Sequence, residues 1–322
     1  MVESTTKKLI SKINHVIKGE KNMQRVNLTE DFSLSRIVHG MWRLADWRFP
    51  TEEILSLIEH GMERGITTYD HADIYGSYTC EEIFGKALSL KPSLRDKMEI
   101  VTKCGIVLKS ENRPSHKSHH YDTSKTHIIK SVEQSLMNLK TDYIDLLLIH
   151  RPDPLMNPAE TAEAFNQLKE SGKVRNFGVS NFKKPQWDML QSYLEYPLVT
   201  NQLELSAYNL ENFEDGTVNL CQQAGVAPMA WSPLAGGSIF EESNEKAARL
   251  RKTLEIVKEE IGANGIDEVM YAWLLRHPAK IIPIVGSGKK ERLDSAIDSL
   301  NLRMKKEQWF NILTSSMGHD IP

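Results

Sequence analysis

The run Asp142-Tyr143-Ile144-Asp145-Leu146-Leu147-Leu148-Ile149-His150 decides how this chain folds. Apart from Asp145 it is apolar from Ile144 to Ile149, without the in-out alternation of a strand that keeps one face in water. A strand covered on both faces reads this way, and such strands belong to parallel sheets. Just before it, Ile128, Ile129, Val132, Leu136 and Leu139 recur at the spacing of one helix face. Outward in both directions the pattern repeats. Short β-rich runs at 37–42, 66–69, 99–103, 143–150, 174–179, 198–203, 227–231 and 281–285 are each followed by a helical run of about 10–16 residues. In the first of these helices Ile54, Leu57, Ile58, Gly61 and Met62 share a face, with Thr51 read as N-cap and Glu53 close by. Pro283 sits awkwardly inside the last strand.

Eight βα units predict an α/β fold, a (β/α)8 TIM barrel. A doubly wound dinucleotide fold would need G-x-G-x-x-G after the first strand and an acidic residue about 20 positions on. The one G-x-G that follows a strand, Gly286-Ser287-Gly288, lies near the C-terminus with Glu291 in sixth place, so the barrel is preferred. No linker or low-complexity tract divides the chain, which predicts one domain over 25–322 behind an N-terminal extension, 1–24. That extension places five lysines around Leu9, Ile10, Ile13, Val16 and Ile17, a spacing that permits a short amphipathic helix. A segment packed near the barrel is preferred to a surface-binding arm, and Met23 could serve as an alternative start. The 322 residues carry 40 basic and 43 acidic side chains, net −3, which argues against a nucleic-acid surface. Cys80, Cys104 and Cys221 have neither disulfide nor zinc spacing. No apolar run reaches membrane-spanning length and no signal-peptide core is present. A soluble, reduced, cytoplasmic protein is expected.

In such a barrel the polar residues at the C-terminal strand ends share one mouth. Asp70 ends the second strand, Tyr75 follows five residues later, Lys103 ends the third and His150 the fourth. Each alone reads as an ordinary turn, rim, surface or structural residue. On three successive strand ends they form a group with chemistry. An ammonium beside a phenol favours the phenolate and makes Tyr75 a better acid. Asp70 would keep Lys103 charged and in place, and His150 would orient a substrate oxygen. That arrangement suits proton donation to a carbonyl oxygen while hydride reaches the carbon.

A second constellation follows strands seven and eight, where barrels often bind phosphate. Trp231-Ser232-Pro233-Leu234-Ala235-Gly236-Gly237 is a small-residue loop. Gly286-Ser287-Gly288-Lys289-Lys290-Glu291-Arg292 opens a helix. Its glycines allow close backbone approach, and Arg292 suits an additional phosphate, which favours NADP over NAD.

With these segments, and with Val101-Thr102-Lys103, Gly178-Val179-Ser180-Asn181-Phe182, Asn201-Gln202-Leu203-Glu204 and Ile282-Pro283-Ile284-Val285-Gly286-Ser287, the chain resembles an aldo-keto reductase from about residue 25 to its end. The variant Asp70-His71-Ala72-Asp73-Ile74-Tyr75-Gly76, Ala230-Trp231-Ser232 and the ending Gly318-His319-Asp320-Ile321-Pro322 resemble a bacterial subgroup of predicted oxidoreductases in that family. The resemblance implies an NADPH-dependent carbonyl reductase. It implies Tyr75 as proton donor, Lys103 as the residue lowering its pKa, Asp70 as the partner of Lys103 and His150 as the carbonyl-orienting group. Ser180, Asn181 and Gln202 would hold the nicotinamide carboxamide, and Trp231 would stack on the ring. Ser232, Leu234, Gly236, Ser287 and Arg292 would meet the phosphates, with Gly286 and Gly288 in the same loop. His71 stands where the family usually has Thr, Trp231 where Tyr or Phe is commoner, and Ser295-Ala296 where Glu-Asn often faces the adenine. His150 is intact, whereas the family's double-bond reductases carry Glu there.

No metal is expected. His116, His119 and His120 lack acidic or cysteine partners and read as part of a substrate loop over 105–122. His39-Gly40-Met41-Trp42 lacks the H-x-H of metal-dependent barrel hydrolases. Trp42, Trp47 and Tyr78 are candidates for an apolar pocket wall or for ordinary packing. Loops 43–49, 105–122 and 233–243 would set the choice among small-molecule carbonyl substrates. The alternative reading is a regulatory module that binds NADP without useful turnover.

Overall fold

A computed structural model gives the structure of residues 24–241 and 244–322. Eight parallel strands close into a barrel: β1 (Val38–Gly40), β2 (Thr68–Asp70), β3 (Glu99–Cys104), β4 (Ile144–Ile149), β5 (Val174–Ser180), β6 (Asn201–Glu204), β7 (Met229–Trp231) and β8 (Ile282–Val285). β8 pairs back onto β1, opposing Ile284 to Val38 and Val285 to His39. Every residue of β4 is buried, as its unbroken apolar run requires. Asp145 is tolerated there because Arg95 Nη2 (2.8 Å) and the Ile100 amide (2.9 Å) both donate to its Oδ2, and a buried charge needs such partners. Pro283 lies within β8, opposite Ala230.

The helices α1 (Thr51–Glu63), α2 (Cys80–Ser89), α3 (Lys125–Leu139), α4 (Pro158–Glu170), α5 (Lys184–Gln191), α6 (Thr217–Gln223), α7 (Glu245–Ile261), α8 (Ile266–Arg276), α9 (Lys290–Asp298) and α10 (Lys306–Met317) follow the strands. α1 begins one residue earlier than the sequence reading has it. Thr51 is its first helical residue and Pro50 its N-cap, with no side-chain capping bond. An antiparallel pair, Arg25–Asn27 with Ser33–Ser35, places Val26 and Leu34 against the inward-facing Val38, Val101, Leu146, Met229 and Ile282. The barrel interior is therefore a packed core. The amphipathic pattern expected over Leu9–Ile17 lies outside the described residues. Among those residues no helix is long and apolar enough to cross a membrane.

Candidate active site

Strand register brings the predicted side chains together. Gly40 pairs with Asp70, Lys103 with Leu148 just before His150, and Ser180 with Gln202. After Asp70 the chain crosses onto β3, where the His71 and Asp73 amides donate to the carbonyls of Val101 (2.8 Å) and Lys103 (3.0 Å). Ser131 on α3 donates to Asp73 Oδ2 at 2.9 Å. Burial, followed by the nearby charge of Glu81, pushes the Asp73 carboxyl up to about 8. Beyond Tyr75 the backbone turns left-handed at Gly76 (φ 57°). A Cβ there would lie 2.6 Å from Cys80 Sγ and 2.8 Å from Ala45 Cβ, so only glycine fits the turn that presents Tyr75.

Lys103, fully buried, donates from Nζ to Asp70 Oδ2 (2.8 Å), to the His71 carbonyl (2.7 Å) and to the Tyr75 hydroxyl (3.0 Å). Burial pushes this amine down, but the charges and hydrogen bonds of Asp70 and Tyr75 outweigh it and the net displacement is upward. The ammonium is thus retained at neutral pH. Sequence reasoning expects Lys103 to lower the Tyr75 pKa. The lysine does act in that direction, but burial of the phenol is the larger effect and the net displacement is upward. Tyr75 therefore stays a protonated phenol, with Lys103 easing the loss of its proton. His150 lies edge-on to Tyr75, ring centroids 5.8 Å apart. Burial, then the charges of Lys103 and Arg151, hold its imidazole well below the ordinary value, so it is neutral at physiological pH.

A chain of hydrogen bonds crosses the mouth. Trp231 Nε1 donates to Asn181 Oδ1 (3.1 Å), Asn181 Nδ2 to Ser180 Oγ (2.7 Å) and Ser180 Oγ to the Gln202 carbonyl (2.9 Å). Gln202 Nε2 then donates to Asp70 Oδ1 at 2.8 Å. Five strands thereby share one polar network ending at Tyr75.

These groups wall a cavity of about 780 Å³ that also reaches Ser232, Leu234, Gly236, Gly286, Ser287 and Arg292. In the loop after β7, Gly236 (φ 64°) and Gly237 (φ 108°) have nothing within 4 Å of where a Cβ would stand, leaving their backbone open to a ligand. Residues at one end thus suit an amide-bearing ring, and those at the other suit phosphates beside a helix opening. An extended dinucleotide fits both chemistries. Two predicted residues do not line the cavity. Lys103 lies beneath its floor, and Gly288 faces the Trp47 indole, whose Cδ2 would come within 2.8 Å of an added Cβ. The close approach at Gly288 thus serves aromatic packing. Trp47 in turn stacks on His39 at 5.9 Å, and His39 Nε2 meets the Ser287 carbonyl at 2.9 Å.

Arg43 and Phe240, from the loops 43–49 and 233–243 expected to set substrate choice, line the cavity, whereas Arg151, Asp267 and Tyr271 line it without having been singled out. Arg151 adjoins His150, which was the available signal. Asp267 accepts from Ser295 Oγ at 2.5 Å, and Ala296 is buried. Trp42, Ile106 and Leu108 also line the wall, which brings segment 105–122 to the mouth. Tyr78 instead accepts from the Leu108 amide at 2.8 Å. His116 Nδ1 is 3.1 Å from the Leu108 carbonyl. Among the described residues no group of three His, Cys, Asp or Glu could hold a metal.

The family model for the aldo/keto reductase family matches residues 36–315. The chain belongs to that family. It is 63% identical over 300 residues to the uncharacterized oxidoreductase YcsN of Bacillus subtilis, covering 93% of this chain and all of that protein. It is 46% identical to a 6-dehydroglucose reductase of Agrobacterium fabrum, again over 93% of this chain and all of that one. A crystal structure of the thermostable aldo-keto reductase Tm1743 superposes with a TM-score of 0.77 at 27% identity, covering 91% of this chain and all of that one. The protein is therefore an oxidoreductase of the class that works on small-molecule carbonyl compounds with a nicotinamide cofactor.

Proposed function

We propose that this aldo/keto reductase uses NADPH to reduce an aldehyde or ketone to the alcohol, with Tyr75 as the proton donor. The observation that carries the proposal is the Tyr75 hydroxyl, on the cavity wall, 3.0 Å from a Lys103 ammonium buried against Asp70. Ser180, Asn181 and Gln202 would hold the carboxamide and Trp231 the ring. Ser232, Leu234, Gly236, Gly286, Ser287 and Arg292 would take the phosphates. Reduced nicotinamide, when bound, supplies the hydride.

The chain's own residues do the rest. Neutral His150 donates to the carbonyl oxygen and fixes the face presented for attack. As charge develops on that oxygen, Tyr75 passes its proton there, so the carbonyl gains hydride at carbon and a proton at oxygen. The incipient phenolate is stabilised by Lys103, whose charge Asp70 maintains. Because the phenol is otherwise held protonated, the donor is loaded at neutral pH. The substrate panel includes sugar-derived aldehydes because a relative is named for 6-dehydroglucose. Three free, buried cysteines suit a reducing cytoplasm. NADPH oxidation measured across aldehydes, ketones and quinones tests the proposal. Carbonyl-dependent oxidation is expected. Its complete absence in single-turnover mixing, with NADPH still bound, would favour a regulatory module instead.

A further inference from the structure

Arg151 follows His150 directly and lines the same cavity. Its guanidinium carbon stands 5.6 Å from the centroid of the Trp231 ring, and its charge is felt at the His150 imidazole. Four other arginines among the described residues are less than exposed, and each has acceptors. Arg36 donates to the Ile281 carbonyl, Arg95 to Asp145, Arg113 to the Asn112 carbonyl and Arg251 to the carbonyls of Ile239 and Glu241. Arg151 is half-buried and has neither a hydrogen bond nor an ion pair among the described residues. A guanidinium carries five N–H donors in a fixed fork, and an enclosed donor without an acceptor is costly. The two carboxylates on the cavity wall are already engaged, Asp70 by Lys103 and Gln202, and Asp267 by Ser295. A cation over the Trp231 ring is attracted by its face, and that contact uses none of the guanidinium's N–H donors as hydrogen bonds, leaving them to a ligand. Arg292, beside the loop after β8, lies at the phosphate end and serves a different part of the cavity.

We infer that Arg151 determines substrate specificity by donating hydrogen bonds to an oxygen carried next to the reacting carbonyl. The preferred substrates are therefore hydroxy- or carboxy-substituted aldehydes and ketones rather than plain alkyl ones. This rests on the carbonyl-reductase reading, because His150 fixes the carbonyl oxygen beside Arg151. An acceptor one or two bonds away then falls to the guanidinium, while Ile106 and Leu108 line the wall with apolar side chains.

The test compares propanal, glyceraldehyde and glyoxylate in wild type, Arg151→Met and Arg151→Lys, with saturating NADPH. Methionine should lower kcat/KM for the two oxygenated substrates about 10–100-fold more than for propanal, the span of one hydrogen bond to a charged group. Lysine should restore glyoxylate if the partner is a carboxylate, and neither substrate fully if it is a hydroxyl needing the fork; both outcomes support the inference. Equal losses on all three substrates would overturn it, as would a rise in KM for NADPH that accounts for the whole loss. If no carbonyl turns over, the reductase reading fails separately, and glycolate binding followed by tryptophan fluorescence decides the inference. Saturable quenching in wild type, abolished in Arg151→Met, supports it, and identical titrations contradict it.

Discussion

Lys103 organises the site because its three donors meet three different acceptors: a carboxylate, a backbone carbonyl and a phenol. No part of that contact needs solvent, so the ammonium acts in a dry environment where its field on Tyr75 is strong. At the far end of the cavity a single side chain bears on cofactor choice. If Arg292 takes the extra phosphate, NADPH binds more tightly than NADH, and Arg292→Ala narrows the gap by about 10–100-fold, read from the two dissociation constants. Equal affinities in wild type would remove Arg292 from the site. Asp70, Tyr75, Lys103 and His150 were legible in the sequence because each follows from a strand end, and strand ends in a barrel face one mouth. Gly288 and Trp47 were not legible, since their contact joins the loop after β8 to the segment after β1. The direction of the Tyr75 shift was hidden as well, because spacing reveals a neighbouring charge but not the burial that outweighs it.

At the scale of elements, α2 and α3 approach closely enough to fix where the Tyr75 loop starts and ends. Gly85 on α2 has no room for a side chain, since a Cβ would stand 2.0 Å from the Asn138 carbonyl oxygen. Gly85→Ala must therefore part the two helices and should cost about 1–3 kcal/mol, the range for overpacking. Chemical denaturation checks this, and an unchanged midpoint would show that α2 shifts freely. The segment tied to α3 through Asp73 and Ser131 would move with it, so activity should fall along with stability. The strand pattern revealed β4 and its neighbours because burial on both faces leaves an unmistakable apolar run. Helix starts were less visible, as the displaced cap of α1 demonstrates: Thr51 is a good capping residue, but Pro50 holds the extended conformation that a cap requires.

Across the whole molecule, burying titratable groups at the mouth ties stability to pH. His71 is fully buried with neither ring nitrogen bonded. Burial, followed by the charges of Lys103 and His39, pulls its pKa down from 6.5 to about 3. Its folded value lies below its unfolded value, so its contribution is complete above pH 6.5 and is lost as pH falls toward 3. Replacing His71 with leucine should reduce the dependence of unfolding free energy on pH, between pH 4 and 6, by about 1.4 kcal/mol per pH unit. Identical slopes in the two proteins would mean that the imidazole is not neutral in the fold. The barrel as a whole brings Asp70, Lys103 and His150 from separate strands together around Tyr75, and the role proposed for that group can be measured directly. NADPH-loaded wild type and Tyr75→Phe are mixed with a reactive aldehyde under single-turnover conditions, after NADPH affinity has been measured for both. Equal NADPH affinity and a rate lower by about 10²–10⁴ in the variant are expected; a rate within tenfold of wild type would rule out Tyr75 as the proton donor.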